Sequence, residues 1–569
     1  MFRLNMAFVF HWVVLKLKPD QNVQILRIDI WRYQMKNDYN EDMRNVTTSN
    51  SVFEEMIRDG SVYVDKTEYI YKLVSGKERF CFISRPRRYG KSLFCSTLHA
   101  LFDGKRELFR DLYIGSTDYD FRSYPVIHLN FAMLSTLSIS WFQEGMSGDI
   151  RRQGERLGVR LEGNDPSQLL KDLLYALDDA VIIIDEYDAP FTSSIDQEAS
   201  IQTDIRNILS SFYSVIKNCS ERIRFFFMTG VVKLANLSVF SAMNNLRDLS
   251  MDESFSAAFG YTDAELLEYF GEGIEECYEE NKDRYRTREE LLERIRGYYD
   301  GYRFSPESEE SVYNPVSIGY FFTSGYRFEN YWDRTGTSTL AVELARKVEL
   351  SSIIDGSIAV SRMAFTNFDI LSIREKKLSK DNVAALLYYA GYLTINDGDE
   401  FAIELIFPNK EVASSFSMNL ISRYADESYS AGVWMSEFIR ACRSGDEEAV
   451  MLKLKEYFAA FSYELIGKER EKFYHTIFHG IFVMAGLYAI SEDRGLRGRA
   501  DEVILTENDL WIFELKIDKE AEEAVRQIDK KGYREKYSYL IEPGMRIHEI
   551  GISFSSEERK ISALESREK

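Results

Sequence analysis

The stretch Arg79-Phe-Cys-Phe-Ile-Ser-Arg-Pro-Arg-Arg-Tyr-Gly-Lys-Ser92 constrains the fold of this chain more than any other. Phe80 to Ile83 is a short apolar run and reads as a buried strand. A loop leads to Gly90, Lys91 and Ser92, and an apolar-periodic helix follows through Phe102. Strand, loop, Gly-Lys-Ser and helix are the parts of a phosphate-binding loop, because a helix N-terminus offers unpaired N–H groups and a positive dipole end. Lys91 is placed to reach β- and γ-phosphates, and the Ser92 hydroxyl to ligand Mg²⁺. Gly90 stands where the backbone must turn tightly into the helix. Arg85 replaces the first Gly of the usual G-x4-G-K-[ST] pattern.

Gly-Lys-Ser alone is compatible with a basic surface turn, so a downstream partner has to decide. Val181-Ile-Ile-Ile-Asp-Glu-Tyr-Asp188 is a four-residue apolar run ending in acids. That pattern fits a central parallel strand, buried on both faces, which delivers Asp185 to the carboxyl end of a sheet. Asp185 is expected to hold Mg²⁺ through water, and Glu186 to orient the attacking water. Pro125–Phe131 and Ile223–Gly230 read as further strands, with His128 a packed strand residue. Thr229, polar at a strand end, is the candidate sensor of the γ-phosphate. Helical patterns over 164–178 and 200–218 alternate with these strands. The fold class expected is α/β, a mostly parallel sheet flanked by helices that binds its ligand at the strand carboxyl ends.

A length of 569 residues suggests about three or four domains. The formal net charge of −21 argues against a protein coated in nucleic acid, while a local basic groove stays compatible with it. Five cysteines are scattered without C-x-x-C spacing, which excludes a disulfide framework or zinc ribbon and suits a reducing, cytoplasmic setting. Residues 1–45 read as a leader, with Met35 or Met43 as the working start; the apolar run Met6–Leu17 is too short to span a bilayer. No other segment looks transmembrane, so no membrane partner is expected. Residues 46–261 form the phosphate-binding domain. Residues 262–380 repeat apolar positions at helical spacing (Leu266, Leu267, Phe270; Leu291, Leu292, Ile295) and read as a helical lid or connector. Arg303, Arg327 and Arg334 read as solvated or salt-bridged; the sharper alternative, a finger acting in trans, would require a homo-oligomer. Residues 381–465 read as a helix with a hairpin, winged-helix-like, and then helices.

The C-terminal part, 466–569, carries a second chemical pattern in Gly498-Arg-Ala-Asp-Glu-Val-Ile-Leu-Thr-Glu-Asn-Asp-Leu-Trp-Ile-Phe-Glu-Leu-Lys-Ile517. Two strands flank Asn508-Asp509. Trp511, Phe513, Leu515 and Ile517 share one face of the second strand; Ile512, Glu514 and Lys516 share the other. A two-residue turn at Asn508-Asp509 would set Asp501 opposite Lys516 and diagonal to Glu514. Two acids and a lysine on one face suit metal-assisted phosphodiester hydrolysis, with Asp501 and Glu514 holding Mg²⁺ and Lys516 positioning water. E-x-K alone also fits a solvated face with an ion pair. The helix that follows presents Ala521, Ala524, Val525 and Ile528 as an apolar stripe. His475 and His479 read as packed or surface histidines, and the tail from Ser555 as frayed.

Taken together, Tyr63-Val-Asp-Lys-Thr, Arg85-Pro-Arg-Arg-Tyr-Gly-Lys-Ser, Ile184-Asp-Glu-Tyr-Asp-Ala-Pro190, Thr229-Gly-Val-Val-Lys233, Asn244-Asn-Leu, Tyr299-Asp-Gly-Tyr-Arg-Phe304 and Tyr313-Asn-Pro315 resemble the AAA-ATPase-like family. The resemblance implies ATP and Mg²⁺ as cofactors, with Arg88, Tyr89, Gly90, Lys91, Ser92, Asp185 and Thr229 at the nucleotide. It also implies a C-terminal PD-(D/E)XK nuclease-like, restriction-endonuclease-like domain, in which Asp501, Glu514 and Lys516 match the motif. Gln527 and Tyr533 match the helix pattern, and Glu471 is the upstream acid. The expected function is an ATP-binding, ATP-hydrolysing protein coupled to a Mg²⁺-dependent nuclease acting on nucleic acid, DNA above RNA. The alternative is a nucleotide-dependent switch whose C-terminal domain binds DNA or protein without cleavage.

Overall fold

A computed structural model describes residues 45–194, 197–233, 245–332, 357–368, 379–422, 431–459, 481, 488–491, 502–506, 508–538, 541, 544–555 and 560–568. Residues 1–44 of the leader, Asn244, Arg334, Glu471, His475, His479 and Asp501 lie outside them.

The strands β1 (Phe80–Ser84), β2 (Val126–Asn130), β3 (Ala180–Asp185), β4 (Ile223–Gly230) and β5 (Arg247–Asp248) form a parallel sheet in the order β2-β3-β4-β1-β5. β1 and β3 are buried at every position, as unbroken apolar runs in a covered parallel sheet must be. The helices α1 (Phe53–Asp59), α2 (Thr67–Ser75), α3 (Lys91–Phe102), α4 (Ile139–Arg156), α5 (Pro166–Ala176) and α6 (Ala199–Asn218) flank the sheet. α5 starts where Asp165 accepts the Gln168 N–H and where Pro166 has no N–H to satisfy. At the sheet edge, α4 covers β2: Gln153 accepts from His128 N–H and Arg156 donates to Val126 O.

The helices α7 (Asp263–Glu280), α8 (Arg288–Tyr299) and α9 (Pro315–Thr323) share a core of their own that includes Leu266, Phe270, Leu291, Ile295 and Phe321. α7 begins with a reciprocal capping box between Thr262 and Glu265. Next come β6 (Ile358–Ser361), α10 (Lys380–Ala390), β7 (Thr394–Gly398) and β8 (Ala402–Ile406), an antiparallel sheet ordered β6-β8-β7. The expected helix and hairpin are present. β6, absent from the sequence reading, adds a third strand, and the hairpin turns at Asp399, whose carboxylate accepts from Phe401 N–H and Ala402 N–H. Leu386, Tyr392 and Ile403 belong to the same apolar core as the parallel sheet.

After α11 (Lys410–Ser422), the helices α12 (Ala431–Ser444) and α13 (Glu447–Ala459) pack on a second sheet. It comprises β9 (Tyr488–Ser491), β10 (Glu502–Leu505), β11 (Asp509–Ile517), β12 (Arg546–Ser555) and β13 (Lys560–Glu568), ordered β13-β12-β11-β10-β9, with α14 (Ala521–Lys531) between β11 and β12 in sequence. Only β11 and β12 run parallel. Trp511, Phe513 and Leu515 meet Trp434, Phe438 and Phe458 on one face, while Ile512 meets Ile528, Tyr533 and Tyr537 on the other. The alternation read from the sequence therefore holds.

Two expectations are corrected. A two-residue turn would pair Glu507 with Leu510, but Leu505 pairs with Leu510 and Glu502 with Phe513. The loop is longer because Thr506 closes it, its N–H donating to Asp509 O and its hydroxyl accepting from Asp509 N–H. The shift is two residues, so the faces keep their identity while the cross-strand partners change. The tail is not frayed: β13 pairs antiparallel with β12 from His548 to Ser555. A charged segment gains a strand's hydrogen bonds when a buried neighbour offers them, which local composition does not record.

Candidate functional site

At the end of β1 the chain enters the loop Arg85–Tyr89, and Gly90, at φ 83°, caps α3. A Cβ on Gly90 would meet nothing within 4 Å, so its backbone conformation selects glycine here. Arg88 also takes a left-handed φ of 74°. The unusual Arg85 is explained by its side chain, which turns into the protein. Its guanidinium lies 4.2 Å from the Phe304 ring centroid and donates to Ser84 O, Ser250 O and Phe255 O. Arg85 thus pins the base of the loop to the segment after β5 and to Phe304, which follows α8. Burial draws its pKa down to about 10, still well above neutral pH.

Lys91 is buried, and its ammonium donates to the loop's own carbonyls at Arg85 (3.1 Å) and Pro86 (2.9 Å). Burial lowers its pKa, against the opposing pull of Glu186, Asp185 and Asp188. Ser92 Oγ donates to Asp185 Oδ2 at 2.6 Å, and Asn130 Nδ2 lies 3.4 Å from the same oxygen. Three elements therefore meet: the start of α3, the end of β3 and the end of β2. Asp185 is 1% exposed, and its Oδ1 is buried without a hydrogen-bond partner. Burial raises the Asp185 pKa; the Ser92 hydroxyl and Lys91 oppose the rise. A buried acceptor in this state, beside a hydroxyl oxygen, is a donor set that suits a hard divalent cation. Glu186 follows at φ 51°, half-buried at the strand end, a strained backbone position next to the charged cluster.

Thr229 sits at the end of β4, as expected, but it is fully buried and its hydroxyl donates to Ile83 O at 2.7 Å. Tyr89 is buried too, its ring edge-on to Tyr302 and Phe304. Sequence reading missed Asp188. Its carboxylate accepts from Val231 N–H and Val232 N–H, and Tyr187 donates its hydroxyl to Val232 O, so the residues after Asp185 hold the end of β4 in place. A Cβ on Gly230 would collide with the Asp188 carboxylate, which accounts for Thr-Gly at this point. The spacing of Asp188 in Asp-Glu-Tyr-Asp was the available signal. Arg303, one of the finger candidates, donates to Ser308 O and Asn396 O within its own chain.

In the C-terminal sheet, Glu514 is 1% exposed on β11. Lys516 Nζ donates to Glu514 Oε1 at 2.7 Å, and Gln527 Nε2 on α14 donates to the same oxygen. Glu514 pairs with Gly551 of β12, and a Cβ at Gly551 would strike Ala521 O at the start of α14. That glycine is what lets α14 lie close enough for Gln527 to reach the strand. Glu514, Lys516 and Gln527 are thus brought together, whereas Asp501 lies outside the described residues. Among the described residues no three His, Cys, Asp or Glu side chains cluster as a metal site. At the opposite end of β11, Asp509 Oδ1 contacts His548 Nε2 (2.9 Å) and Arg546 Nε (2.7 Å), and His548 Nδ1 contacts Glu447 (2.7 Å). This buried network, unread in the sequence, ties α13 to the sheet.

Among the described residues no helix is long and apolar enough to cross a membrane, and the five cysteines are all buried free thiols. Residues 48–240 match the family described as Predicted AAA-ATPase, and residues 469–563 match the PD-(D/E)XK nuclease superfamily. A protein from Azotobacter chroococcum mcd 1, known as "Uncharacterized protein in vnfD 5'region", is 29% identical over 523 residues, covering 89% of this chain and 95% of that protein. The chain joins an AAA-ATPase-like domain to a C-terminal domain of the PD-(D/E)XK nuclease superfamily.

Proposed function

We propose that the N-terminal domain binds and hydrolyses ATP with Mg²⁺, and that this controls a C-terminal domain that cuts nucleic acid, DNA in preference to RNA. The observation that carries the first half is the 2.6 Å bond from Ser92 to Asp185 beside an unpartnered carboxylate oxygen. Ser92 and Asp185 would hold the metal, which would supply positive charge to offset that of the phosphates. Lys91 exchanges two neutral carbonyls for the phosphates, a charge-assisted gain. The N–H groups at Gly90 and the start of α3 face the same anion, flanked by Arg88 and Tyr89. Glu186 orients the attacking water. Thr229, the candidate γ-phosphate sensor, spends its hydroxyl on Ile83 O and so joins β4 to β1 beside the site.

In the second half, Asp501 and Glu514 would hold Mg²⁺, which would supply Lewis-acid activation of water and offset charge at the phosphodiester. Lys516, already at Glu514, positions that water, and Gln527 fixes the carboxylate. Coupling between the halves is supported by the middle module's grip on the phosphate loop. Tyr302, beside Tyr89, donates its hydroxyl to Gly391 O, and a Cβ at Gly391 would press on Pro86. The protein acts in the cytoplasm, where its five thiols stay reduced, and as a homo-oligomer if a finger arginine is supplied in trans.

The test is Mg²⁺-dependent cleavage of plasmid, linear and single-stranded substrates, with and without ATP, beside the Glu514→Ala variant. Cleavage that needs Glu514 and responds to ATP is expected. Nucleic-acid binding without any cleavage would leave the nucleotide-dependent switch.

A further inference from the structure

The two large sheets treat their outer strands differently. β2 closes one edge of the parallel sheet, and α4 meets its outward groups: Gln153 accepts from His128 N–H and Arg156 donates to Val126 O. β13 closes one edge of the C-terminal sheet and is nine residues long. Its two faces are packed. Ile561 and Leu564 lie against the core shared with α13, and Arg567 Nη1 donates to Asp529 of α14 at 2.6 Å. Its outer edge is bare: among the described residues, no strand pairs with it and no side chain bonds to its backbone. An open row of N–H and C=O groups is a template for another strand. The register shift opposite Ser553 and Phe554 leaves Ser562 as an extra residue, so the regular edge runs over Ala563–Glu568.

We propose that this edge is an interface between two copies of the chain, whose β13 strands pair antiparallel about a two-fold axis at Ser566. The charges select a second copy as the partner. On the face that carries Glu514, Gly551 pairs with Glu565 and Glu549 with Arg567, so opposite charges stand two residues apart on one side of β13. About an axis at Ser566, Glu565 of each copy faces Arg567 of the other, and Ser566 faces its own counterpart. Glu565 is exposed, and among the described residues only Nη1 of Arg567 is engaged, with Asp529 at 2.6 Å and Glu549 at 3.9 Å. A strand with a single sign of charge here would repel its own copy, which is one way edges are guarded. This strand complements itself instead. A two-fold axis between antiparallel strands stands perpendicular to the sheet, so both Glu514 carboxylates lie on the same face of one continuous sheet. β11 and its counterpart are then five strand spacings, about 24 Å, apart. One consequence rests on the nuclease function proposed for this domain: the assembly has a site for each strand of a duplex.

The experiment is sedimentation velocity on the full chain over a micromolar concentration range, which needs no nuclease activity. Wild type is expected to sediment as a dimer. Glu565→Arg sets like charges face to face on both sides of the axis and should weaken the dimer about tenfold or more. Arg567→Glu should do the same. An equimolar mixture of the two variants should recover wild-type affinity, because every charge then faces its opposite. Thermal melts report the folding of each variant; Glu565→Arg alone decides the matter if Arg567→Glu, which gives up Asp529, does not fold. The interface is overturned if wild type is monomeric throughout, or if folded Glu565→Arg dimerises as tightly as wild type. It is overturned too if a mixture of folded variants stays as weak as either alone. A wild-type dimer that cuts no nucleic acid removes the nuclease reading and leaves the interface standing.

Discussion

At the phosphate loop, the ammonium of Lys91 rests on two neutral carbonyls, and the carboxylate of Asp185 is met by a hydroxyl and an amide. On β11, the carboxylate of Glu514 is met by the ammonium of Lys516, two residues along the same strand, and by the amide of Gln527. The residue types are nearly the same and the charge arrangement is opposite. In the first region the opposite charges are kept on separate neutral partners, so an anion and a cation can each be taken up without breaking an ion pair. In the second region they are already joined, so a metal ion at Glu514 has to share its carboxylate with Lys516. The two proposed sites therefore differ in what a ligand must displace before it binds.

The sharpest break of this comparison is Glu514→Gln. Loss of the metal-holding charge should lower Mg²⁺-dependent cleavage by roughly 1,000-fold, since Lewis-acid stabilisation is worth several kcal/mol. Unchanged cleavage in a plasmid-nicking assay would show that Glu514 is only a partner of Lys516. Lys91→Ala should weaken ATP binding by about 100-fold, from the loss of charge-assisted bonds to phosphate; near wild-type affinity by calorimetry would remove Lys91 from the phosphate site. Gln527→Ala should reduce cleavage about 10- to 100-fold with ATP affinity intact, as for partners that orient a metal ligand. Gly551→Ala forces Cβ against Ala521 O and should cost about 3 kcal/mol in the C-terminal domain alone. A single cooperative melt that shifts both domains equally would contradict that separation.

The smallest effect separates the regions by pH. His99 and His128 face each other with Nδ1 atoms 3.2 Å apart between α3 and β2. Burial holds both pKa values down to about 4, with His128 and Arg156 adding repulsion at His99, and Arg156 at His128. Folded pKa values below the unfolded value of about 6.5 mean that the unfolded chain binds more protons in between. The stabilisation is complete above about pH 6.5 and disappears as pH falls toward 4. Between pH 7.5 and pH 5 each of the two histidines should cost the N-terminal domain about 2 kcal/mol. His128→Gln should flatten that slope in denaturation curves, and an unchanged slope would count against the pair.

Sequence alone determined the apolar strand that ends at Asp185, the Gly-Lys-Ser loop, the helices read over 164–178 and 200–218, and the two faces of β11. These follow from local rules: apolar runs, a helix period, a strand period of two, and a glycine that must bend. What it could not supply was every contact that joins distant segments. Arg85 looked like a damaged glycine position until Phe304, Ser250 and Phe255 were found around its guanidinium. Asp188 was only the last of a run of acids until the N–H groups of Val231 and Val232 were found on it. The longer loop between β10 and β11 rests on the Thr506 hydroxyl, and the pairing of the charged tail on its neighbour β12. A chain encodes its periodicities in neighbouring residues, but the partner of a buried charge or an edge strand is fixed only when hydrophobic burial brings remote segments together and each buried polar group must then be satisfied.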